Sequence, residues 1–476
     1  MVIFLKMVCL MSMFCVSSLF AQSPKVVVIG AGLAGLTTAY RLQAAGMDVN
    51  VYEARNRVGG RVLTANLNNQ VVELGAQTFT NPLKHPHLCC LIHEFGLEIV
   101  ENIVPLNYSY FDGEKLIPTA QLIEKLQLDS SDLHNKLIEI SATCSNMKEV
   151  LEKLMRKDDP LFKIMAIKLA IYEGDSIEKL STLYIDTLSY FLTELISVKT
   201  KEEENCYINR SSIKNGNATL PEKMASHLSS RLNLNRCLTK ISKNSEGTFT
   251  LTFDNVENVK ADILVLAIPC SIYKDIHFEN SAIPFDRLEC ISSIKYGTNS
   301  RVLIPFDNTI EKTLGIVGDD IYGNFDSFRE ILAVNFIDVV TLHPEEQFAS
   351  LNAVLEPVIR KVFNHPFVPP ACANDQNFVA YTCPIRYSWL NDPFVKGSYS
   401  YISPGQESIL TSITEKNGEK FKAVFAPIQN LYFSGEHASI SEVSGTMEAA
   451  CESGERTARA ILKNLKEGSG LTQNLR

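Results

Sequence analysis

The hydrophobic pattern of this chain changes period twice between Lys25 and Glu53. Lys25-Val26-Val27-Val28-Ile29 is an unbroken apolar run of the kind that forms a buried strand, Leu33 to Ala45 carries apolar residues at helical spacing, and Gly46 stands where a helix stops. The next segment reads as a second strand and ends on an acidic residue, Glu53. Between the first strand and the helix lies Gly30-Ala31-Gly32-Leu33-Ala34-Gly35. In that setting a GxGxxG turn predicts a dinucleotide grip. Gly30 permits the tight turn, Gly32 lets the backbone approach a pyrophosphate, and Gly35 allows helix and sheet to pack. The helix start turns unpaired N–H groups and a partial positive charge toward phosphate. Glu53, about 20 residues on, is placed to accept hydrogen bonds from an adenosine ribose.

From Pro118 to Leu195 the period is helical, with Leu122, Ile123, Leu126, Leu133, Leu137, Ile140, Leu151, Leu154 and Met155 at helix-face spacing. Such helices wall a cavity in some proteins, but each of these residues reads first as core. At the start of the chain, Met1 to Ala21 has one cation, Lys6, an apolar run from Met7 to Phe20, and a small residue before polar Gln22-Ser23. This reads as a secretory signal peptide cleaved after Ala21. The run is short of the roughly 20 apolar residues that span a bilayer, so no stable membrane insertion is expected after cleavage.

Composition narrows the class without choosing a reaction. The chain has 476 residues, a formal net charge of −9 and 12 cysteines. Removing residues 1–21 takes away Lys6 and two cysteines, leaving −9 − 1 = −10 and 12 − 2 = 10. An acidic chain lacks the basic footprint of a nucleic-acid binder. The length suits two domains, and no Pro/Ser/Gly-rich linker or repeat marks a boundary, so interleaved domains are expected. His85-Pro86-His87-Leu88-Cys89-Cys90 with His93 holds possible metal ligands, but it reads as a helix that begins after Pro86 with its cysteines facing the core, and no metal is assigned.

The residues directly after the ribose-binding carboxylate select the dinucleotide. Glu53-Ala54-Arg55-Asn56-Arg57-Val58-Gly59-Gly60-Arg61 adds a second glycine pair and three guanidinium groups, for which a nicotinamide cofactor has no evident use. An extended flavin dinucleotide crosses more backbone, and arginine suits its phosphate oxygens. Here the chain resembles the flavin-containing amine oxidase superfamily, and FAD is the expected cofactor. Four further segments carry the resemblance: Glu73-Leu74-Gly75-Ala76-Gln77, Ala261 to Pro269, Asn430 to His437, and Ser444 to Arg456.

The resemblance implies an α/β fold in which a Rossmann-type FAD-binding domain (24–81, 219–295 and 401–465) interleaves with an α+β substrate domain (82–218 and 296–400). It places Gly30, Ala31, Gly32, Ala34, Gly35, Glu53, Ala54, Arg55, Gly60, Arg61, Gly75, Ala76, Gln77, Leu238, Gly435, Glu436, Thr446 and Met447 around the cofactor, with Leu238 beside the adenine through its backbone. Trp389 to Ser400 resembles the stretch along the flavin's reactive face. A cysteine stands at the position of Ser398 in covalently flavinylated relatives, so non-covalent FAD is expected.

Tyr399 matches one wall of an aromatic cage that aligns an amine, Thr446 replaces the tyrosine of the other wall, and Trp389 is a further candidate. Spacing from Gly297 puts Arg301 where most members carry a lysine that holds a water near flavin N5. Either Arg301 substitutes for it, or Lys295 reaches in, or oxygen is not the acceptor. The implied reaction is oxidation of an amine C–N bond, with hydride passing to the flavin, imine hydrolysis, and reduction of O2 to hydrogen peroxide. The alternatives are a related dehydrogenase or desaturase acting on a non-amine substrate, and a flavin-binding protein without turnover.

Overall fold

A computed structural model describes residues 23–468, except 80–81, 106–107, 113–114, 119–120, 123–131, 200–206, 255–256, 306–313, 319–328, 334–335, 343–355, 357–359, 361–367, 369–370, 373–379 and 382–383. The proposed signal segment 1–21, and Ile123 and Leu126 of the helical pattern, lie outside the described residues.

The apolar run forms strand β1 (Lys25–Ile29), followed by helix α1 (Leu33–Ala44) and strand β2 (Asp48–Tyr52). Three distant segments complete an all-parallel sheet: β3 (Leu232–Asn233), β4 (Ile263–Leu266) and β5 (Leu431–Phe433), in the order β5-β4-β1-β2-β3. Val26, Val27 and Val28 have no exposed surface, as a strand covered on both faces requires. The closing helix α2 (Met447–Gly468) lies on α1, and a Cβ on its Gly454 would stand 2.6 Å from the Ala34 carbonyl oxygen. Glycine there lets the two helices meet. Leu36 and Leu42 of α1 are fully buried, and each contributes roughly 1.5–3 kcal/mol.

A second layer is an eight-stranded sheet in which Asn299–Pro305 lies between Phe336–Leu342 and Ile385–Ser388, antiparallel to both. The helical period after Pro118 resolves into Leu133–Ser141, Met147–Leu154, Pro160–Glu173 and Ile185–Lys199. Leu122, Leu133, Leu137 and Leu151 are buried in one core with the faces of these helices, and Ile140, Leu154 and Met155 pack against it. Helix Pro160–Glu173 is buried on nearly every side, so its pattern is apolar on most faces, with Lys163 and Lys168 the exceptions before Glu173. Asp159 caps its start by accepting the Leu161 N–H at 2.9 Å, and Gly174, at φ +108°, ends it.

Helix Pro86–Glu94 begins at Pro86. Cys89 is half-buried but Cys90 is exposed, which corrects the expectation that both cysteines face the core. Leu88, Leu91 and Ile92 hold the buried face at i, i+3 and i+4, and that spacing leaves position 90 outside.

Candidate active site

At the end of β1 the chain turns at Gly30, whose φ is +103° and on which a Cβ would lie 2.5 Å from the Ala267 carbonyl oxygen. Glycine satisfies both conditions. A Cβ on Gly35 would collide with the Gly30 carbonyl oxygen, whereas on Gly32 it would meet nothing nearer than the Gly60 Cα at 4.0 Å. The two glycine motifs lie directly against each other: the Gly59 N–H donates to the Ala31 carbonyl at 2.8 Å, and a Cβ on Gly60 would come to 3.2 Å of the Gly32 Cα. No side chain caps the start of α1, and its first turn has no acidic residue. Its N–H groups and positive dipole end are left to an anion, which fits a dinucleotide pyrophosphate.

Glu53 is buried and braces this turn. Its Oε2 accepts the Ala31 N–H at 2.7 Å, and Oε1 accepts the Arg55 N–H at 3.0 Å. The Ala31 N–H, expected beside phosphate, thus points at the carboxylate. Ala54 is half-buried in the same turn, and Leu238 is buried at the start of strand Leu238–Lys243. The Arg55 guanidinium also departs from the expected phosphate contact. It is buried 2.6 Å from Asp392 and lies 5.1 Å from the Phe394 ring centroid, joining the motif to the stretch after Trp389.

Arg61 reaches the C-terminal half. Its Nη1 donates to the Ser398 carbonyl oxygen at 2.9 Å and to Glu436 Oε1 at 2.7 Å. Glu436 also accepts the Ser400 N–H at 3.0 Å and its hydroxyl at 2.7 Å. Burial alone would raise the Glu436 carboxyl, but Arg61, His437 and Ser400 together hold it below the usual carboxylate range. Gly435 has φ +153°, and a Cβ on it would collide with the His437 ring. That imidazole is pushed down to about 4 by burial, and its Nε2 has no hydrogen-bond partner among the described residues. Thr446 caps α2, its Oγ1 accepting the Ala449 N–H at 3.2 Å, and Met447 is buried in the following turn.

The Tyr399 ring lies against Gly174 and Gly445, on which added Cβ atoms would come to 3.1 Å and 3.3 Å of it. Its hydroxyl donates to the Ile171 carbonyl at 2.5 Å and to Tyr172 at 3.0 Å, so the ring is fixed at the end of the apolar helix. Trp389 is buried against Gly75 and donates from Nε1 to the Leu74 carbonyl at 3.0 Å. Arg301 projects from the same strand face as Asn299; it donates to the Glu73 carbonyl, while Asn299 Oδ1 accepts the Ser398 hydroxyl at 2.8 Å. Lys295 is exposed in a short strand paired with Tyr401, and the structure does not bring it into this group. Ala76 and Gln77 offer their carbonyls to Asn217 Nδ2 at 2.9 Å and 2.8 Å.

Two residues, Asn217 and Glu173, escaped the sequence reading. Asn217 is fully buried, clamping Ala76 and Gln77, and a lone Asn in a loop gives no pattern. Glu73 was visible only as part of a motif. Glu173 ends the apolar helix beside Tyr399; burial pushes its carboxyl up to about 7, and Thr187 donates to its Oε1 at 2.5 Å. An acid at the end of a largely apolar helix was the available signal.

The family described as flavin containing amine oxidoreductase matches residues 33–462. The chain is 24% identical to an L-amino-acid oxidase of Pseudechis australis, over 92% of this chain and 87% of that one. It is 24% identical to polyamine oxidase 2 of Arabidopsis thaliana (94% and 90% covered) and 25% to amine oxidase [flavin-containing] B of Mus musculus (92% and 86%). Putrescine oxidase bound to putrescine shares the fold at a TM-score of 0.67 and 19% identity, covering 92% of this chain and 99% of that one. Cyclohexylamine oxidase of Brevibacterium oxydans does so at 0.67 and 18%, covering 93% and 100%. With the match running from Leu33, inside the dinucleotide turn, through the arginine motif and into the closing helix, this chain belongs to the flavin-containing amine oxidoreductase family.

Proposed function

We propose that this protein is an exported oxidase that binds FAD without a covalent bond and oxidises a C–N bond of an amine, with O2 as the electron acceptor. The observation that carries the reading is the Arg61 bridge to Glu436 and Ser398, which draws the arginine motif after the dinucleotide unit, the C-terminal segment and the Trp389–Ser400 stretch into one site. Gly30, Gly32, Gly35, Glu53 and the uncapped start of α1 would hold the dinucleotide; Arg61, Gly75, Ala76, Gln77, Glu436, Thr446 and Met447 would surround the ring end. Bound there, FAD supplies a hydride acceptor for the amine α-carbon and, with O2, a route to hydrogen peroxide. Water would then hydrolyse the imine to a carbonyl compound and ammonia or a smaller amine.

The chain's own residues bind and orient. Tyr399 presents a ring held by two carbonyl contacts, which favours an amine nitrogen beside its face. Glu173, next to it, is a carboxylate above about pH 7 and suits a second cationic group on the substrate. Ser398 offers a hydroxyl where covalently flavinylated relatives carry a cysteine, which supports non-covalent FAD. The pattern of residues 1–21 supports export, and among the described residues no helix is long and apolar enough to cross a membrane.

An absorbance spectrum of purified protein, followed by anaerobic addition of monoamines, diamines and L-amino acids, tests the reading. Flavin bands that one amine class bleaches, with peroxide formed on admission of air, are the expected result. A correctly folded, colourless protein that takes up no FAD would overturn it, and bands that no amine bleaches would favour a dehydrogenase of another substrate or a protein without turnover. Mass measurement of the exported protein checks cleavage after Ala21.

A further inference from the structure

We propose that Glu73 is a positioning residue for the substrate side of the site, holding the Arg301 guanidinium through its own main-chain carbonyl and setting, with its carboxyl group, the charge that the guanidinium meets. The inference rests on the reading of the site as flavin-binding.

Residues 73–77 are a hub of accepted hydrogen bonds. The Glu73 carbonyl takes Arg301, the Leu74 carbonyl takes Trp389 at 3.0 Å, and the Ala76 and Gln77 carbonyls take Asn217 Nδ2 at 2.9 Å and 2.8 Å. The Glu73 side chain closes the same hub from its other end. Its Oε1 accepts the Asn217 N–H at 2.7 Å and its Oε2 the Thr64 hydroxyl at 2.8 Å. Both partners are fixed in turn. Thr64 Oγ1 accepts the Ala218 N–H at 3.0 Å, and Asn217 Oδ1 accepts the Ile213 N–H at 2.9 Å. Glu73 therefore cannot move without shifting Arg301, Trp389 and the Gly75-Ala76-Gln77 backbone together.

Burial pushes the Glu73 carboxyl up to about 7, against the lowering effects of the Asn217 N–H, the Thr64 hydroxyl and Arg301. Arg301 is the charged group that acts on it, from strand Asn299–Pro305; Thr64 faces it from the neighbouring hairpin strand and Asn217 from the loop before helix Thr219–Leu228. A guanidinium cannot lose its proton near neutrality. Of this pair the guanidinium is fixed in charge, and Glu73 is the partner whose charge changes around pH 7, as that of Glu173 does beside Tyr399. Ionised Glu73 offsets the Arg301 charge, whereas neutral Glu73 withdraws that offset.

The test compares wild type, Glu73→Gln and Thr64→Val as FAD-loaded proteins. The flavin reduction potential, read by dye equilibration from pH 6 to 9, and the rate of anaerobic reduction by an amine are both recorded. Wild type is expected to show an inflection near pH 7 in both. Glu73→Gln leaves the Arg301 charge without its offset at every pH, so it is expected to lose the inflection and, at pH 8, where wild-type Glu73 is ionised, to show a flavin reduction potential shifted upward from wild type. Thr64→Val removes a donor that lowers the acid, so the inflection moves upward. A Glu73→Gln protein whose profiles superpose on wild type overturns the proposal. If Glu73→Gln does not fold, an unmoved inflection in Thr64→Val overturns it. A wild-type protein that takes up no FAD overturns the flavin reading itself, a separate outcome visible in the absorbance spectrum.

Discussion

Arg61 and Glu436, 375 residues apart in sequence, form a charged hydrogen bond of 2.7 Å that closes the candidate cofactor site. The same guanidinium nitrogen holds the Ser398 carbonyl, so one side chain fixes three segments relative to one another.

Arg61→Met leaves Glu436 buried without its cation. It is expected to cost about 3 kcal/mol of stability and to abolish FAD retention. The Glu436 carboxyl is held below its usual range, so the pair's contribution is present at neutral pH and is lost as pH falls through the acid range. Wild type and Arg61→Met melting temperatures should therefore converge on acidification; parallel curves would count against the pair.

His437 stays neutral because burial pushes it down to about 4 from an ordinary 6.5. As pH falls from 6.5 toward 4, the unfolded chain takes up a proton that the folded chain refuses, and stability drops by up to about 3 kcal/mol. His437→Asn is expected to flatten the melting-temperature profile over that window while leaving it unchanged above pH 7.

The buried Arg55–Asp392 pair joins the dinucleotide motif to the Trp389–Ser400 stretch at 2.6 Å. Either Arg55→Met or Asp392→Asn should destabilise the protein by about 3–5 kcal/mol, and the double variant by less than the sum. Additive losses in denaturant midpoints would show that the two do not interact.

Glu173→Gln tests the expected second cation of the substrate. A raised acid that ionises near pH 7 attracts ammonium above that pH. In wild type, KM for a diamine should fall as pH rises through 7 while a monoamine's does not, and Glu173→Gln should raise the diamine KM roughly tenfold without that dependence. Equal effects on both substrates would remove Glu173 from recognition.

Tyr399→Phe keeps the ring and removes a hydroxyl shared by two carbonyls. It should cost about 1–2 kcal/mol of stability, with a smaller loss of kcat/KM than Tyr399→Ala, which removes the ring itself. The comparison of the two variants by steady-state kinetics separates ring from hydroxyl.

The opening βαβ unit was legible because each of its cues is local: a valine run, a glycine turn, a helical period and a terminal acid lie within Lys25 to Glu53. The order of the parallel sheet was not local. Strand β3 has only Leu232 and Asn233, too short to announce itself, and it joins the sheet because Val51 and Tyr52 offer it an open edge. Arg55 misled for a related reason. Its place in an arginine-rich motif pointed to phosphate, but the carboxylate of Asp392 was brought to it by folding.

The sequence by itself determined the dinucleotide turn, the family resemblance and the apolar faces of the helices, since these depend on spacing along a few turns of backbone. Tertiary structure alone decided which groups meet. It put Arg61 on Glu436, Arg301 on the Glu73 carbonyl, Tyr399 on the end of helix Pro160–Glu173, and Lys295 at the surface. Charge, burial and protonation at such positions are set by neighbours distant in sequence, because the cost of a buried charge depends on whether a partner lies within hydrogen-bond reach.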